Sequence, residues 1–102
     1  MRIRDRTPLP YRVQIPEQFT NDFERLRRIY PRLEEIVEGL EYLLWRTPRE
    51  VGVRATEVAG AEIYVYRIKA GFGLPSFRFV YEIKGNIVEL FGVGLVDRRS
   101  PS

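Results

Sequence analysis

Apolar side chains recur every three or four residues in two consecutive segments of the first half of the chain. The first segment begins at residue 17 and has its apolar stripe at Phe19, Phe23, Leu26 and Ile29 or Tyr30. The second has its stripe at Leu33, Ile36, Val37, Leu40, Leu43 and Leu44. This is the spacing of one face of an α-helix. Pro31 separates the segments and Thr47-Pro48 closes the second, so we predict two antiparallel helices with a shared apolar surface.

Four other segments have the pattern of β-strands, in which successive side chains point to opposite faces. They comprise residues 11–15, 61–69, 76–83 and 87–96. Residues 49–60 are polar and are expected to be irregular, with at most a brief extended piece at 55–58. The last strand is apolar on both faces, which predicts a central position in the sheet. The order β-α-α-β-β-β predicts an α+β fold with two N-terminal helices on one face of a small, mainly antiparallel four-stranded sheet.

The segment Ser-Phe-Arg-Phe-Val-Tyr-Glu-Ile, residues 76–83, places an arginine between two phenylalanines. Strand alternation puts Arg78 on the face opposite to the aromatic side chains, and it puts Arg67 and Lys69 together on one face of the preceding strand. If the helices cover the aromatic face, these three cations can form one patch on the open face, provided that the strand register aligns them. Such a patch is either an ordinary solvated surface or a phosphate-binding one.

Val65 and Val80 are predicted to lie on that same open face. A face that is half apolar and half basic is a candidate docking surface for a peptide or a nucleic acid. Covering of this face by the C-terminal residues is the alternative interpretation.

Composition narrows the chemistry further. The 102 residues suit one domain, and 44% hydrophobic with 30% charged residues is typical of a soluble globular protein. The chain has no cysteine and no histidine, which excludes disulfides, a thiol nucleophile and histidine acid–base chemistry. Lys69 and Lys84 are the only lysines among 17 basic residues, and the other fifteen are arginines. This preference fits a polyanionic partner, and it fits equally a GC-rich genome or a heat-adapted host.

The chain divides into a basic extended lead-in at 1–10, a single domain at 11–97 and a short basic tail at 98–102. The lead-in lacks the apolar run of a secretory signal, and the apolar strand at 87–96 is too short to cross a bilayer. We therefore expect a cytoplasmic protein that does not engage membranes. The Gly-Phe-Gly loop within residues 70–75 joins two strands and does not open a helix, so it is not interpreted as a phosphate loop.

Taken in this order, three motifs resemble the RelE/ParE toxin superfamily. They are Tyr66-Arg67-Ile68-Lys69, then Phe77-Arg78-Phe79-Val80-Tyr81-Glu82-Ile83, then Val93-Gly94 near the end of the last strand. The resemblance extends over residues 11–99. It implies a toxin of a type II toxin–antitoxin pair, with a cognate antitoxin as partner and without a metal or cofactor. RelE-like members cleave messenger RNA on the ribosome, where the 2′-hydroxyl attacks the adjacent phosphate and leaves a 2′,3′-cyclic phosphate.

The resemblance also implies roles for individual residues. The implied catalytic residues are Arg67, Lys69 and Arg78, the expected RNA-binding residues are Arg54, Arg98 and Arg99, and the expected antitoxin contacts are Val65 and Val80. Arg78 would stabilise the negative charge that grows on the phosphate. Lys69 is the better candidate for the proton acceptor, because an arginine stays protonated.

The sequence departs from the RelE-like pattern in two places. The arginine that follows the Val-Gly pair in RelE-like toxins aligns with Val96, so Arg98 or Arg99 replaces it only with a shift. No tyrosine or histidine follows Tyr81, whereas many members have one near the C-terminus. Two alternatives therefore stay open: a ParE-like inhibitor that traps DNA gyrase without cutting RNA, and a degenerate member that only binds its antitoxin.

Overall fold

The computed structural model describes residues 11–71 and 73–96. The elements in chain order are β1 (Arg12–Gln14), α1 (Glu17–Ile29), α2 (Leu33–Arg46), α3 (Pro48–Val51), β2 (Val53–Val58), β3 (Ala61–Ile68), β4 (Phe77–Lys84) and β5 (Ile87–Leu95). The strands form one sheet in the order β1-β5-β4-β3-β2. The pairing of β1 with β5 is parallel and the other three pairings are antiparallel. The α+β class and the position of β5 inside the sheet are confirmed.

The two predicted helices form and bury most of their apolar stripes against one face of the sheet, whereas Ile29 and Leu43 are exposed. The core consists of Phe19, Leu33, Val37, Leu40 and Leu44 from the helices, together with Tyr64, Phe77, Phe79, Tyr81, Ile83, Val88 and Leu90 from the strands. Proline positions shape both helices, because Pro16 lies at the N-terminal end of α1 and accepts hydrogen bonds from the N–H groups of Phe19 and Thr20. We call the sheet face beneath the helices the inner face and the opposite one the outer face.

The sheet is mainly antiparallel as predicted, but the prediction of four strands and two helices was wrong, because the structure adds the strand β2 and the short helix α3. The sheet has five strands, and the additional strand β2 lies in the segment that was expected to be irregular. All six residues of β2 are exposed, so the strand has no buried side to produce an apolar alternation. A β-bulge at Ala55 further breaks its period. The turn that joins β2 to β3 has positive φ at Ala59 (52°) and Gly60 (84°). Alanine is not one of the residues that indicate such a turn in a sequence.

The buried tyrosine of β4 ties the short helix α3 to the sheet. The Tyr81 hydroxyl donates a hydrogen bond to Pro48 O at 2.6 Å and accepts one from the Gly52 N–H at 2.9 Å. Burial raises the pKa of Tyr81 to about 12, although the bond from Gly52 acts in the opposite direction. A Cβ atom at Gly52 would lie 2.7 Å from Val65 O, so only glycine lets the start of β2 pass this close to β3. This contact fixes where β2 joins the sheet.

The helices of the described residues are short and largely amphipathic, and none is long and apolar enough to cross a membrane.

Candidate nucleic-acid interface

The centre of the candidate site is a pair of arginines on adjacent strands. Arg67 of β3 lies directly opposite Arg78 of β4 in the antiparallel register. Directly opposed residues share a face and have Cα atoms about 4.5–5.5 Å apart. Phe77 and Phe79, the neighbours of Arg78, are buried in the core, so both arginines point to the outer face, and both are exposed. The predicted juxtaposition of Arg67 and Arg78 is thus present in the strand register.

Neither arginine has a counter-ion in the part of the chain that the structure describes. The ion pairs there join Arg25 to Asp22, Arg27 to Glu24, Arg49 to Glu62 and Arg54 to Glu57. Like charges directly opposite each other destabilise a sheet, so the pairing of Arg67 with Arg78 contributes nothing favourable to the fold by itself. Two arginines that are directly opposed in the register can reach a single phosphate, which accepts bidentate hydrogen bonds from arginine.

Lys69 is the third predicted cation and lies at the end of the arginine pair. It follows Ile68, the last residue of β3, and its side chain is exposed. The N–H of Ala70 donates a hydrogen bond to Ser76 Oγ at 3.0 Å, which holds the two chain segments together just beyond the strands. Only Ile68 lies between Arg67 and Lys69, so an extended chain would put their Cα atoms about 7 Å apart. Lys69 is therefore at the rim of the arginine pair.

The third strand of the site presents bare backbone. Gly94 of β5 lies opposite Arg78, and Gly92 lies opposite Val80. A Cβ atom at Gly94 would have no heavy atom within 4 Å, so the space above this residue is open. We call Arg67, Arg78 and Gly94 the arginine row. Because β5 has no side chain in that row, a ligand can approach the sheet closely beside Arg78.

Next to the arginine row lies a row of aliphatic side chains, which we call the valine row. It consists of Val53, Val65 and Val80, and it ends at Gly92, which has no side chain. Val65 and Val80, the predicted antitoxin contacts, are directly opposed and half-buried. The two rows together make a continuous surface that is basic on one side and apolar on the other.

The outer face becomes acidic on the far side of the valine row. Glu82 of β4 lies opposite Glu89 of β5, and Gln14 of β1 lies beside Glu89. These carboxylates repel a polyanion. An anionic ligand is accordingly favoured over Arg67 and Arg78 and disfavoured over the glutamate pair, beyond which Lys84 and Arg12 flank Ile87 at the other end of the outer face.

The other predicted RNA-binding residues do not join this surface in the described structure. Arg54 lies opposite Tyr64 and shares the inner-face side of the sheet, where its guanidinium is 3.5 Å from the Glu57 carboxylate. The bulge at Ala55 causes this placement, and the sequence contains no clear signal for it. Arg98 and Arg99 lie outside the described residues.

The sequence analysis did not identify the role of Arg49, whose guanidinium makes structural contacts and is not available to a ligand. Its guanidinium donates to both carboxylate oxygens of Glu62, at 3.0 and 3.1 Å, and to the Tyr11 hydroxyl at 2.6 Å. The hydrogen bond with Glu62 raises the pKa of Arg49, and the same bond, followed by one from Tyr64, lowers the pKa of Glu62. This network joins α3 to β3 and to the start of β1. Arg49 shows how an arginine of this fold behaves when its role is structural.

The described residues contain no group of three or more acidic side chains arranged to hold a metal ion. A scan against protein-family models, a search of curated proteins and a search of solved structures each returned no match to this chain. The resemblance to RelE/ParE toxins therefore stays a prediction from sequence motifs, and the geometry of the arginine row is the basis for a functional proposal.

Proposed function

We propose that this protein is a RelE-like endoribonuclease, the toxin of a type II toxin–antitoxin pair, which cleaves messenger RNA on the ribosome. One observation carries the proposal: Arg67 and Arg78 are directly opposed on the uncovered face and have no counter-ion among residues 11–71 and 73–96. An arrangement that is unfavourable for the fold is explained if it binds a phosphate. The open backbone at Gly94 supports close approach of an RNA strand.

In the proposed reaction the RNA supplies its own nucleophile. The 2′-oxygen attacks the neighbouring phosphorus, the bond from phosphorus to the 5′-oxygen breaks, and the products are a 2′,3′-cyclic phosphate and a 5′-hydroxyl. Negative charge increases on the non-bridging oxygens as the bond forms. Arg67 and Arg78 donate hydrogen bonds to these oxygens and stabilise the transition state, which is the role of preorganised donors.

Lys69 is the proposed proton carrier of the site. In the proposal it carries the proton of the 2′-hydroxyl to the departing 5′-oxygen, so that the leaving group departs as a hydroxyl. The arginines stay protonated and cannot perform this step. Tyr81 does not take part, because its hydroxyl is buried between Pro48 and Gly52 on the inner side of the sheet.

The proposed partner in the cytoplasm is an antitoxin whose acidic, partly apolar segment covers the arginine and valine rows. Val65 and Val80 supply the apolar contact, and the arginines supply the charge complementarity. Binding there occludes the phosphate site and inhibits the toxin. This proposal predicts that antitoxin and RNA compete for one surface.

The test is cleavage of a defined message in a translation extract, with the cut sites mapped by primer extension. Arg78→Ala is expected to lower the cleavage rate about a hundredfold, the effect of removing one transition-state donor. Lys84→Ala is the matched control, because Lys84 is an exposed cation on the same strand that pairs with Ile87, away from the arginine row. It should cleave like the wild type.

Thermal unfolding checks that Arg78→Ala is folded. Because the substitution is at an exposed strand position, it should lower the free energy of unfolding by about 0.5 kcal/mol or less. A folded Arg78→Ala variant that cleaves at the wild-type rate would remove Arg78 from the mechanism. Wild-type protein that leaves every message intact would refute the nuclease proposal as a whole.

A second candidate function is favoured by the valine row. A half-apolar, half-basic surface also suits an acidic protein partner, as expected for a ParE-like inhibitor of DNA gyrase or for a degenerate member that only binds antitoxin. Loss of gyrase supercoiling with intact message would support the gyrase inhibitor. Intact message and normal supercoiling, with tight antitoxin binding, would support the degenerate member.

A further inference from the structure

The free edge of the sheet at β2 is exposed along its whole length. β2 is the last strand in the sheet order, and all six of its residues, Val53 to Val58, are exposed. Val53 is 76% exposed and Val58 is 62% exposed, the first and last residues of the strand. An exposed edge strand presents unpaired N–H and C=O groups that can pair with another strand. No other described residue pairs with this edge.

The bulge in β2 gives this edge an unusual symmetry. Residues three apart in a regular strand point to opposite faces, yet Arg54 and Glu57 share a face, because the extra residue Ala55 shifts the alternation. Their register partners Tyr64 and Glu62 both belong to the inner-face side, and the two charged groups are 3.5 Å apart. Val53 and Val58, by the same register, both belong to the outer-face side. The strand Val-Arg-Ala-Thr-Glu-Val is thus complementary to its own reverse.

We propose that two copies of this chain associate through β2, antiparallel and about a two-fold axis, to form one continuous sheet. In this register Val53 lies opposite Val58 of the second copy, and Arg54 lies opposite Glu57 of the second copy. In each opposed pair the two side chains lie on the same face of the joint sheet. A two-fold axis that keeps the outer faces of both copies on one side of the joint sheet requires this. The two-fold axis generates each contact twice, so the dimer has two aliphatic contacts and two Arg–Glu pairs in total.

An apolar hollow beside the edge fits this arrangement. It has a volume of about 410 Å³ and is lined by Val51, Val53, Val65, Arg67 and others. The opposed Val58 of the second copy lies on the outer face next to Val53, at the mouth of the hollow. Burial of both valines removes the largest exposed aliphatic side chains of this strand from water.

The choice of a second copy as occupant rests on charge complementarity. A strand of unrelated sequence has no reason to oppose Arg54 with an acid and Glu57 with a base, whereas the reversed copy of this strand does both. The contact involves one short strand from each copy, so it belongs to the small, weak class of interfaces. We expect a dimer that dissociates on dilution.

The experiment is sedimentation velocity of the whole chain over a concentration series, with two charge-reversal variants. Arg54→Glu places four carboxylates at the interface and Glu57→Arg places four guanidiniums, so each variant alone should bind itself at least about tenfold more weakly than the wild type. An equimolar mixture of the two variants restores both Arg–Glu pairs and should form a heterodimer. Lys84→Glu, an exposed charge reversal elsewhere, should associate like the wild type.

Three results would overturn the proposal. The first is a wild type that stays monomeric up to about 1 mM, at the weak end of the affinity scale. The second is a single variant that dimerises as well as the wild type, and the third is a mixture of the two variants that stays monomeric. Circular dichroism of each variant checks the fold, and Arg54 and Glu57 are exposed, so their replacement should leave it intact. The assay contains no RNA, so its outcome is independent of the proposed nuclease activity.

Discussion

The two faces of β4 differ sharply in burial and charge. On the inner face Phe77, Phe79, Tyr81 and Ile83 are all completely buried. On the outer face of the same eight residues Arg78 and Lys84 are exposed and Val80 and Glu82 are half-buried. One strand therefore carries most of the aromatic core on one side and the candidate phosphate site on the other.

This division separates stability from the proposed chemistry. The inner side chains remove apolar area from water and so supply folding free energy. The outer arginines have no counter-ion among the described residues, and their opposition is mildly unfavourable to the sheet. Substitutions at successive residues of β4 should therefore affect different properties: a substitution on the inner face should lower stability, and one on the outer face should lower activity.

The largest expected effect is that of Phe79→Ala on stability. Phe79 is completely buried and its ring packs near Tyr66, with ring centroids 6.4 Å apart. Removal of a core phenylalanine costs about 3–5 kcal/mol, a large part of the stability of a small domain. Urea unfolding followed by circular dichroism measures the loss. Arg78→Ala, the adjacent residue, is the control and should unfold at nearly the wild-type midpoint, and a similar loss in both variants would contradict the division between faces.

A smaller loss of stability is expected for Tyr81→Phe, which keeps the aromatic ring and removes the hydroxyl. The change leaves the Gly52 N–H and the Pro48 carbonyl without their present partner, at a cost of about 1–3 kcal/mol. Urea unfolding at neutral pH measures it. Tyr64→Phe is a matched control. The Tyr64 hydroxyl donates to Glu62 in a more accessible place, so its removal should lower the free energy of unfolding by less.

Tyr81 also predicts an alkaline limit of stability. Its pKa is about 12 in the folded protein and the ordinary value is 10.0, so the folded state holds the proton more tightly. Stability should therefore fall as pH rises from 10 to 12, since the unfolded chain loses this proton first. Tyr81→Phe should flatten this part of the stability–pH curve, and an unchanged slope would assign the decline to other groups.

The inner face of β4 could be predicted from sequence because its signal is local. Alternating aromatic and polar residues over eight positions fix which side chains are buried, and the structure confirms Phe77, Phe79 and Ile83 as core. The opposition of Arg67 to Arg78 was predicted only as one possible register. The loop between β3 and β4 comprises residues 69–76 and is too long to determine the register, so the actual pairing depends on packing against the helices.

The edge of the sheet at β2 could not be predicted in the same way. A strand with all residues exposed has no apolar period, and its bulge at Ala55 displaces Arg54 to the inner-face side. The expectation that Arg54 contacts RNA assumed an irregular segment with no fixed side. Such features depend on the contact between Gly52, Tyr81 and Val65, residues far apart in the chain, and no local pattern reveals it.

A small effect on stability, in the stabilising direction, is expected for Gly94→Ala, which also tests the outer face separately from the core. The φ of Gly94 is not positive, and a Cβ atom there meets nothing within 4 Å, so alanine should fit and should stabilise the strand by about 0.5–1 kcal/mol. The methyl group would stand beside Arg78 in the arginine row. If RNA approaches the bare backbone there, its affinity should fall by about 1 kcal/mol, roughly fivefold, in a fluorescence anisotropy titration.

Gly71→Ala is the matched control, because a Cβ atom at Gly71 also meets nothing within 4 Å and this residue lies outside the row. Equal RNA affinity for both variants would show that the ligand does not contact β5 at this point, while the proposed roles of Arg67 and Arg78 would still depend on the cleavage assay.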